Sequence, residues 1–184
     1  MVIIFGPAGA GKSLQGQLLA ARHGWRWLSS GQLLRDSRDT EVLAQMHSGG
    51  LVDNETVNRL TLQAFQQAEA IDKIVLDGFP RQLEQAKWLI QSQSEHAHAV
   101  QVVVVLDIPD EEVQKRLTLR GRPDDTRDAI AERLAIYHKQ IDELLSYFSS
   151  EGVPIERIDA VGTVGQVHDR IEAALVERGV VSAQ

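Results

Sequence analysis

The stretch Gly6-Pro7-Ala8-Gly9-Ala10-Gly11-Lys12-Ser13 follows the apolar run Val2-Ile3-Ile4-Phe5 and precedes Leu14-Gln15-Gly16-Gln17-Leu18-Leu19. This order predicts a strand, a glycine-rich turn and the start of a helix. Such a turn aims several backbone N–H groups at one point, and the positive end of the helix adds to their field, so the loop is a seat for phosphate oxygens. Lys12 supplies a mobile ammonium for the outer phosphates and Ser13 a hydroxyl suited to magnesium. Gly9, Ala10, Gly11, Lys12, Ser13 and Leu14 are therefore the candidate residues of a phosphate seat.

The rest of the chain must then form a sheet around that first strand. Lys73-Ile74-Val75-Leu76-Asp77 and Val100 to Leu106 read as strands buried on both faces, which is the mark of a parallel sheet. Trp25 to Leu28 predicts a further strand, in which Trp25 and Trp27 alternate with Arg26 and serve packing rather than base stacking. Val153 to Ile158 predicts the last strand. Helical patterns run from Lys12 to a stop at Gly24, from Gln82 to about Gln93, from Pro109 to Arg120, from Thr126 to Ser149 and from Thr163 to Arg178. Between the second and third strands lie several short helices, more than a crossover needs. Ser30 is read as the N-cap of the first of these, Thr40 of a second running to Met46 and closed by Ser48-Gly49-Gly50, and Asp53 of a third. Ser94 to His98 reads as a solvated loop and Val180 to Gln184 as a frayed tail. The expectation is one domain over 1–184, an α/β parallel sheet with helices on both faces and a helical insertion over 29–58.

Composition narrows the partners. With 43% hydrophobic residues the chain can bury a core, and the absence of Cys excludes disulfides and thiolate metal sites. No apolar run approaches the length needed to span a bilayer, and no secretory leader is evident, so a cytoplasmic protein without a membrane partner is expected. A formal net charge of −7 argues against nucleic acid, whose binding rests on many Lys and Arg contacts. The arginines are instead clustered, at Arg116, Arg120 and Arg122, with Arg35 and Arg81 beside glycine turns. Arg133 adjoins the apolar stripe of its helix. Together with a phosphate loop this predicts a phosphate clamp. Asp77, at the carboxyl end of a core strand, lies at the edge where open α/β sheets bind ligands and can hold magnesium-bound water.

Five segments, GPAGAGKS, SSGQLLR (Ser29 to Arg35), GGLVDNETV (Gly49 to Val57), DGFPR followed by Gln85-Ala86, and RGRPDD (Arg120 to Asp125), occur in an order that resembles the nucleoside monophosphate kinases. The likeness is strongest to bacterial adenylate kinases with a short lid, which are P-loop NTPase-type proteins, and it runs essentially end to end. The resemblance implies transfer of the ATP γ-phosphoryl group to AMP, giving two ADP, by a monomer using magnesium and no zinc. It implies that Arg116, Gly162 and Val164 meet the ATP base, and that Lys12 and Arg120 meet its phosphates. It implies an AMP site of Ser30, Gly31, Arg35, Gly50, Leu51, Val52, Gly78, Phe79, Pro80, Arg81 and Gln85. Arg81, Arg120, Arg122 and Arg133 would converge on the transferring group with Lys12 and Asp77, Arg122 and Arg133 also reaching the AMP phosphate. Ser13 and Asp77 would hold magnesium, mainly through water, and 120–126 would be the lid.

The chain departs from the family pattern at Ser13-Leu14, where Gly-Thr is usual, at Gln32, where an acid is usual, and at Ser30, where Thr is usual. A kinase for UMP or CMP and a nucleotide-binding regulator without catalysis remain as alternatives. Gln85 favours adenine, because an amide can pair with the adenine edge.

Overall fold

The computed structural model describes residues 1–47, 51–71, 73–95, 98–121 and 125–182. In chain order the elements are β1 (Val2–Phe5), α1 (Lys12–His23), β2 (Arg26–Ser29), α2 (Ser30–Asp36), α3 (Thr40–His47), α4 (Asn54–Gln67) and β3 (Ile74–Asp77). They continue with α5 (Leu83–Gln91), β4 (Val102–Asp107), α6 (Asp110–Arg120), α7 (Arg127–Ser150), β5 (Ile155–Asp159) and α8 (Val164–Glu177). All strand pairs are parallel, in the order β2-β3-β1-β4-β5. The α/β class and the helical run between β2 and β3 are as the sequence predicts.

Alternation along the strands divides the core. Ile3, Phe5, Leu76, Val103 and Val105 face one layer with Phe65, Leu89 and Phe148 of α4, α5 and α7. Val2, Ile4, Val75, Val102 and Val104 face the other, with Leu19 of α1 and Ile171 and Leu175 of α8. Because β1, β3 and β4 are covered on both sides, their side chains are almost wholly removed from water, which explains their unbroken apolar runs.

The order of strands also fixes where a ligand can bind. From β1 the chain moves outward to β2, whereas from β3 it crosses β1 to reach β4. Connections therefore leave the neighbouring strands β1 and β3 in opposite directions, which opens a crevice at their carboxyl ends. The loop Gly6–Gly11 follows β1 at this edge, and Asp77 ends β3 opposite it.

Several local expectations are corrected. Ser30 does not cap α2: Ser29 holds the extended N-cap position, while the Ser30 hydroxyl donates to the Gly78 carbonyl at 2.6 Å. Thr40 does not cap α3 either, since the Asp39 carboxylate accepts from the Glu41 and Val42 amides at 2.9 and 3.3 Å. Asp53 caps α4 through the Thr56 amide at 2.8 Å, as expected. The α5 helix ends at Gln91 and tightens into a 3₁₀ turn over Ser92–Glu95. His98 is buried rather than solvated, packed near Phe65 with Nε2 3.3 Å from the Ala68 carbonyl oxygen; an imidazole can join a core where it finds a polar partner. The tail is not frayed at Val180 and Val181, which are buried against the α8 layer, and Lys73 donates to the Val180 carbonyl at 2.6 Å. The expected stop at Ser48-Gly49-Gly50 lies outside the described residues.

Phe148 is fully buried and lies 5.9 Å, centroid to centroid, from Phe5 on β1. Phe148→Ala is expected to cost about 3–5 kcal/mol and to lower Tm by about 10 °C, measurable by thermal melting with the secondary structure retained at low temperature.

Candidate functional site

Two clefts meet at the phosphate loop. The first has a volume of about 410 Å³ and runs from the loop, past Asp77 and Gly78, to the helical insertion and α7. The second, about 400 Å³, lies between Gly9–Gln15, Glu112 and Arg116 of α6, and Gly162–Val164. Gly9, Gly11 and Leu14 line both. The loop can sit this close to α6 only with glycine at position 9, whose φ is +84° and where a Cβ would come within 2.9 Å of Leu117 Cγ.

Across the crevice Ser13 Oγ donates to Asp77 Oδ2 at 2.6 Å. Asp77 is 2% exposed. A hydroxyl and a carboxylate side by side are hard oxygen donors, and magnesium prefers a few such groups completed by phosphates and water. The pair therefore fits an ion delivered with a nucleotide. No cluster of three or more His, Cys, Asp and Glu that would hold a metal alone occurs among the described residues.

Lys12 Nζ donates to the Gly6 and Pro7 carbonyls at 2.7 and 2.8 Å, folded onto its own loop. Its pKa falls to about 8, first through loss of hydration; Asp77 opposes the fall, and Arg81 and Arg120 add to it. Arg81 faces the cleft, with Nε donating to the Gly78 carbonyl at 3.0 Å. Its pKa is also lowered, first by desolvation, with Asp77 opposing and Arg133 and Arg35 contributing. These cations disfavour one another's charge, and the site is thus prepared for anions that would restore it.

Arg120 and Arg133 share one counter-ion. Arg120 donates twice to Asp125, from Nε at 2.7 Å and from Nη2 at 2.5 Å, and Arg133 Nη1 donates to Asp125 Oδ1 at 3.2 Å. In the second cleft Arg116 is held at both ends of its guanidinium, Nε donating to Glu112 at 2.9 Å and Nη2 to the Ala160 carbonyl at 3.2 Å. So held, Arg116 lines the second cleft together with Gly162 and Val164. Buried Gln15 donates to the Val164 carbonyl at 2.9 Å and so ties α1 to this wall.

Of the residues proposed from sequence for the acceptor, Ser30, Gly31, Arg35, Leu51, Val52, Gly78, Pro80, Arg81, Gln85 and Arg133 line the first cleft. Ala10, Gly162 and Val164 line the second, Arg116 both, and Arg120 the first. The Phe79 side chain is fully buried and packs edge-on to Trp88 at 5.9 Å, in the core. Gly50 and Arg122 lie outside the described residues. Sequence reasoning missed Tyr137 and Gln140, which follow Arg133 at helical spacing and line the same cleft; that spacing was the available signal. It also missed Asp125 and Glu112, whose roles depend on which arginines they meet in space.

A parallel sheet bearing a phosphate loop on its central strand, with an acid on the neighbouring strand, makes this a P-loop NTPase-type α/β protein. Comparison with known proteins narrows the class. A family model described as adenylate kinase matches residues 4–153. The adenylate kinases of Maricaulis maris, Mycobacteroides abscessus and Thermus thermophilus are 37%, 36% and 36% identical to it, covering 96%, 95% and 95% of this chain and 99%, 98% and 96% of their own length. The chain belongs to the adenylate kinase family.

The lowered Lys12 pKa predicts a pH dependence of triphosphate binding. Below about 8 the ammonium is present before the nucleotide arrives, and above it binding must first recapture a proton. Calorimetric Kd values for ATP are expected to rise as pH passes through 8 towards 9.5, and Lys12→Met, weaker throughout, is expected to lose that rise.

Proposed function

We infer that this chain catalyses the reversible transfer of the ATP γ-phosphoryl group to AMP, yielding two ADP. The observation that carries the reading is the convergence of Lys12, Asp77, Arg81, Arg120 and Arg133 on one cleft between the phosphate loop and the insertion. The second cleft opens on the other side of the same loop, so a donor base there and an acceptor under the insertion would bring their phosphates together.

The attacking oxygen belongs to an ionised phosphate, so the reaction needs no general base. Catalysis is alignment of two phosphates and neutralisation of the charge between them. The amides from Gly9 to Ser13 and the Lys12 ammonium hold the donor phosphates. Arg35 and Arg81 hold the acceptor phosphate. Arg120 and Arg133, with Arg122 by family likeness, exchange their protein partners for the transferring group. The Ser13 hydroxyl and the Asp77 carboxylate, the latter mainly through water, would hold magnesium carried by ATP, which would supply neutralising charge to the donor phosphates. Arg116 stacks on the donor base beside Gly162 and Val164.

Residues 1–184 act as one unit, with 29–58 as the acceptor-side insertion and 120–126 as a short lid. The enzyme works as a cytoplasmic monomer on free nucleotides, with neither nucleic acid nor membrane as partner. No described helix is long and apolar enough to cross a membrane, and the charge of −7 fits a small nucleotide better than a polyanion.

With ATP and AMP the protein is expected to form two ADP for each ATP consumed, and to turn over CMP and UMP more slowly. Arg120→Ala is expected to lower kcat by about 10³ with an unchanged far-ultraviolet spectrum. Faster phosphorylation of CMP or UMP would overturn the acceptor assignment.

A further inference from the structure

Behind the second cleft, buried Gln15 of α1 and buried His168 of α8 form a polar chain between two groups that can only accept. Gln15 Nε2 donates to the Val164 carbonyl at 2.9 Å, Gln15 Oε1 lies 3.2 Å from His168 Nδ1, and His168 Nε2 lies 3.5 Å from Glu172 Oε1. A main-chain carbonyl cannot donate, so it fixes which way the Gln15 amide is turned. The amide oxygen then faces His168, and Nδ1 must carry the proton. A neutral imidazole has one N–H, which leaves Nε2 bare before the Glu172 carboxylate. The distances follow this order: the two junctions that hold a proton are the shorter, and the one without is the longest. Burial favours the neutral ring, lowering the His168 pKa against the pull of Glu172. Glu172 takes its own donor from α1, His23 Nε2 at 2.8 Å.

The turn at the near end of this chain is braced within itself. Arg170 Nη1 donates to the Asp159 and Val161 carbonyls at 2.7 and 2.8 Å, and Thr163 and Gln166 bond reciprocally at 2.9 and 3.3 Å. Its place relative to the phosphate loop therefore rests on ties from outside, and among the described hydrogen bonds Gln15 supplies the one from α1. On the reading that the second cleft takes the donor nucleotide, we propose that His168 is a positioning residue for that donor: held as the Nδ1–H tautomer, it anchors Gln15, which sets the wall Gly162–Val164 at its distance from the phosphate loop. Without the Nδ1 donor the Gln15 oxygen is buried and unpaired, and the amide gains by turning away from Val164 to find another partner. The wall then shifts, while the loop, the first cleft and the clamp arginines stay in place. The effect belongs to donor binding rather than to the chemical step.

Two measurements test this. Nitrogen chemical shifts of His168 in the wild-type protein at pH 8 are expected to show Nδ1 protonated and Nε2 bare; the opposite tautomer would overturn the proposal, whatever any variant does. In kinetics, His168→Leu is expected to raise KM for ATP about tenfold, the size of a buried acceptor left unpaired, with kcat and KM for AMP unchanged. His168→Asn can place its Nδ2 where Nδ1 stood and is expected to recover most of the wild-type KM. Melting temperatures are recorded alongside, since a purely structural role would lower them without separating the two KM values. An unchanged KM for ATP in the Leu variant, or an Asn variant as weak as the Leu variant, would overturn the proposal. A rise in KM for AMP in place of ATP would contradict the donor assignment of the second cleft while upholding His168 as the residue that positions its wall.

Discussion

The structure depends on bringing several cations to one place, where carboxylates offset their mutual repulsion only in part. Lys12, Arg81, Arg120 and Arg133 border a common cleft, and the lowered pKa values of Lys12 and Arg81 record first their loss of hydration on burial and then that crowding. Two carboxylates offset it. Asp77 faces Lys12 and Arg81 from the end of β3, and Asp125 bridges Arg120 and Arg133. Neither satisfies the whole group, and a polyphosphate brings more charge than either. The unfavourable field is therefore binding energy held in reserve for the ligand.

The sheet makes this tolerable. Asp77 and the phosphate loop are fixed by strands whose side chains are buried on both faces, so the backbone near the charges has little freedom to relax away from them. The Ser13–Asp77 hydrogen bond then spans the crevice between β1 and β3. Arg116 is restrained differently, by Glu112 on its own helix and by a carbonyl following β5. The two clefts thus use separate supports around one shared loop.

Much of this was legible in the sequence, for identifiable reasons. The apolar runs of β1, β3 and β4 announce a buried parallel sheet, and Gly6 to Ser13 announces its ligand edge. The clamp arginines are conspicuous because they cluster in an acidic chain. What escaped depends on contacts distant in sequence. Nothing local distinguishes Asn54 from a helix-start residue, yet it meets Gln85 across 31 positions. Ser30 has the composition of an N-cap, but Gly78 offers its hydroxyl a tertiary partner. Phe79 sits inside a loop motif and is nevertheless core, because Trp88 of α5 packs over it. The departure at Ser13-Leu14 leaves the hydroxyl 2.6 Å from Asp77, while Leu14 is 45% exposed at the mouth of both clefts.

On the proposed function, donor and acceptor phosphates meet at the loop from two sides. This meeting is tested most directly by titrating the protein with two adenosines joined through five phosphates, with ATP and AMP as competitors. The account predicts a single molecule bound per chain, displaced by either nucleotide. Two molecules bound per chain, or displacement by ATP with none by AMP, would contradict it.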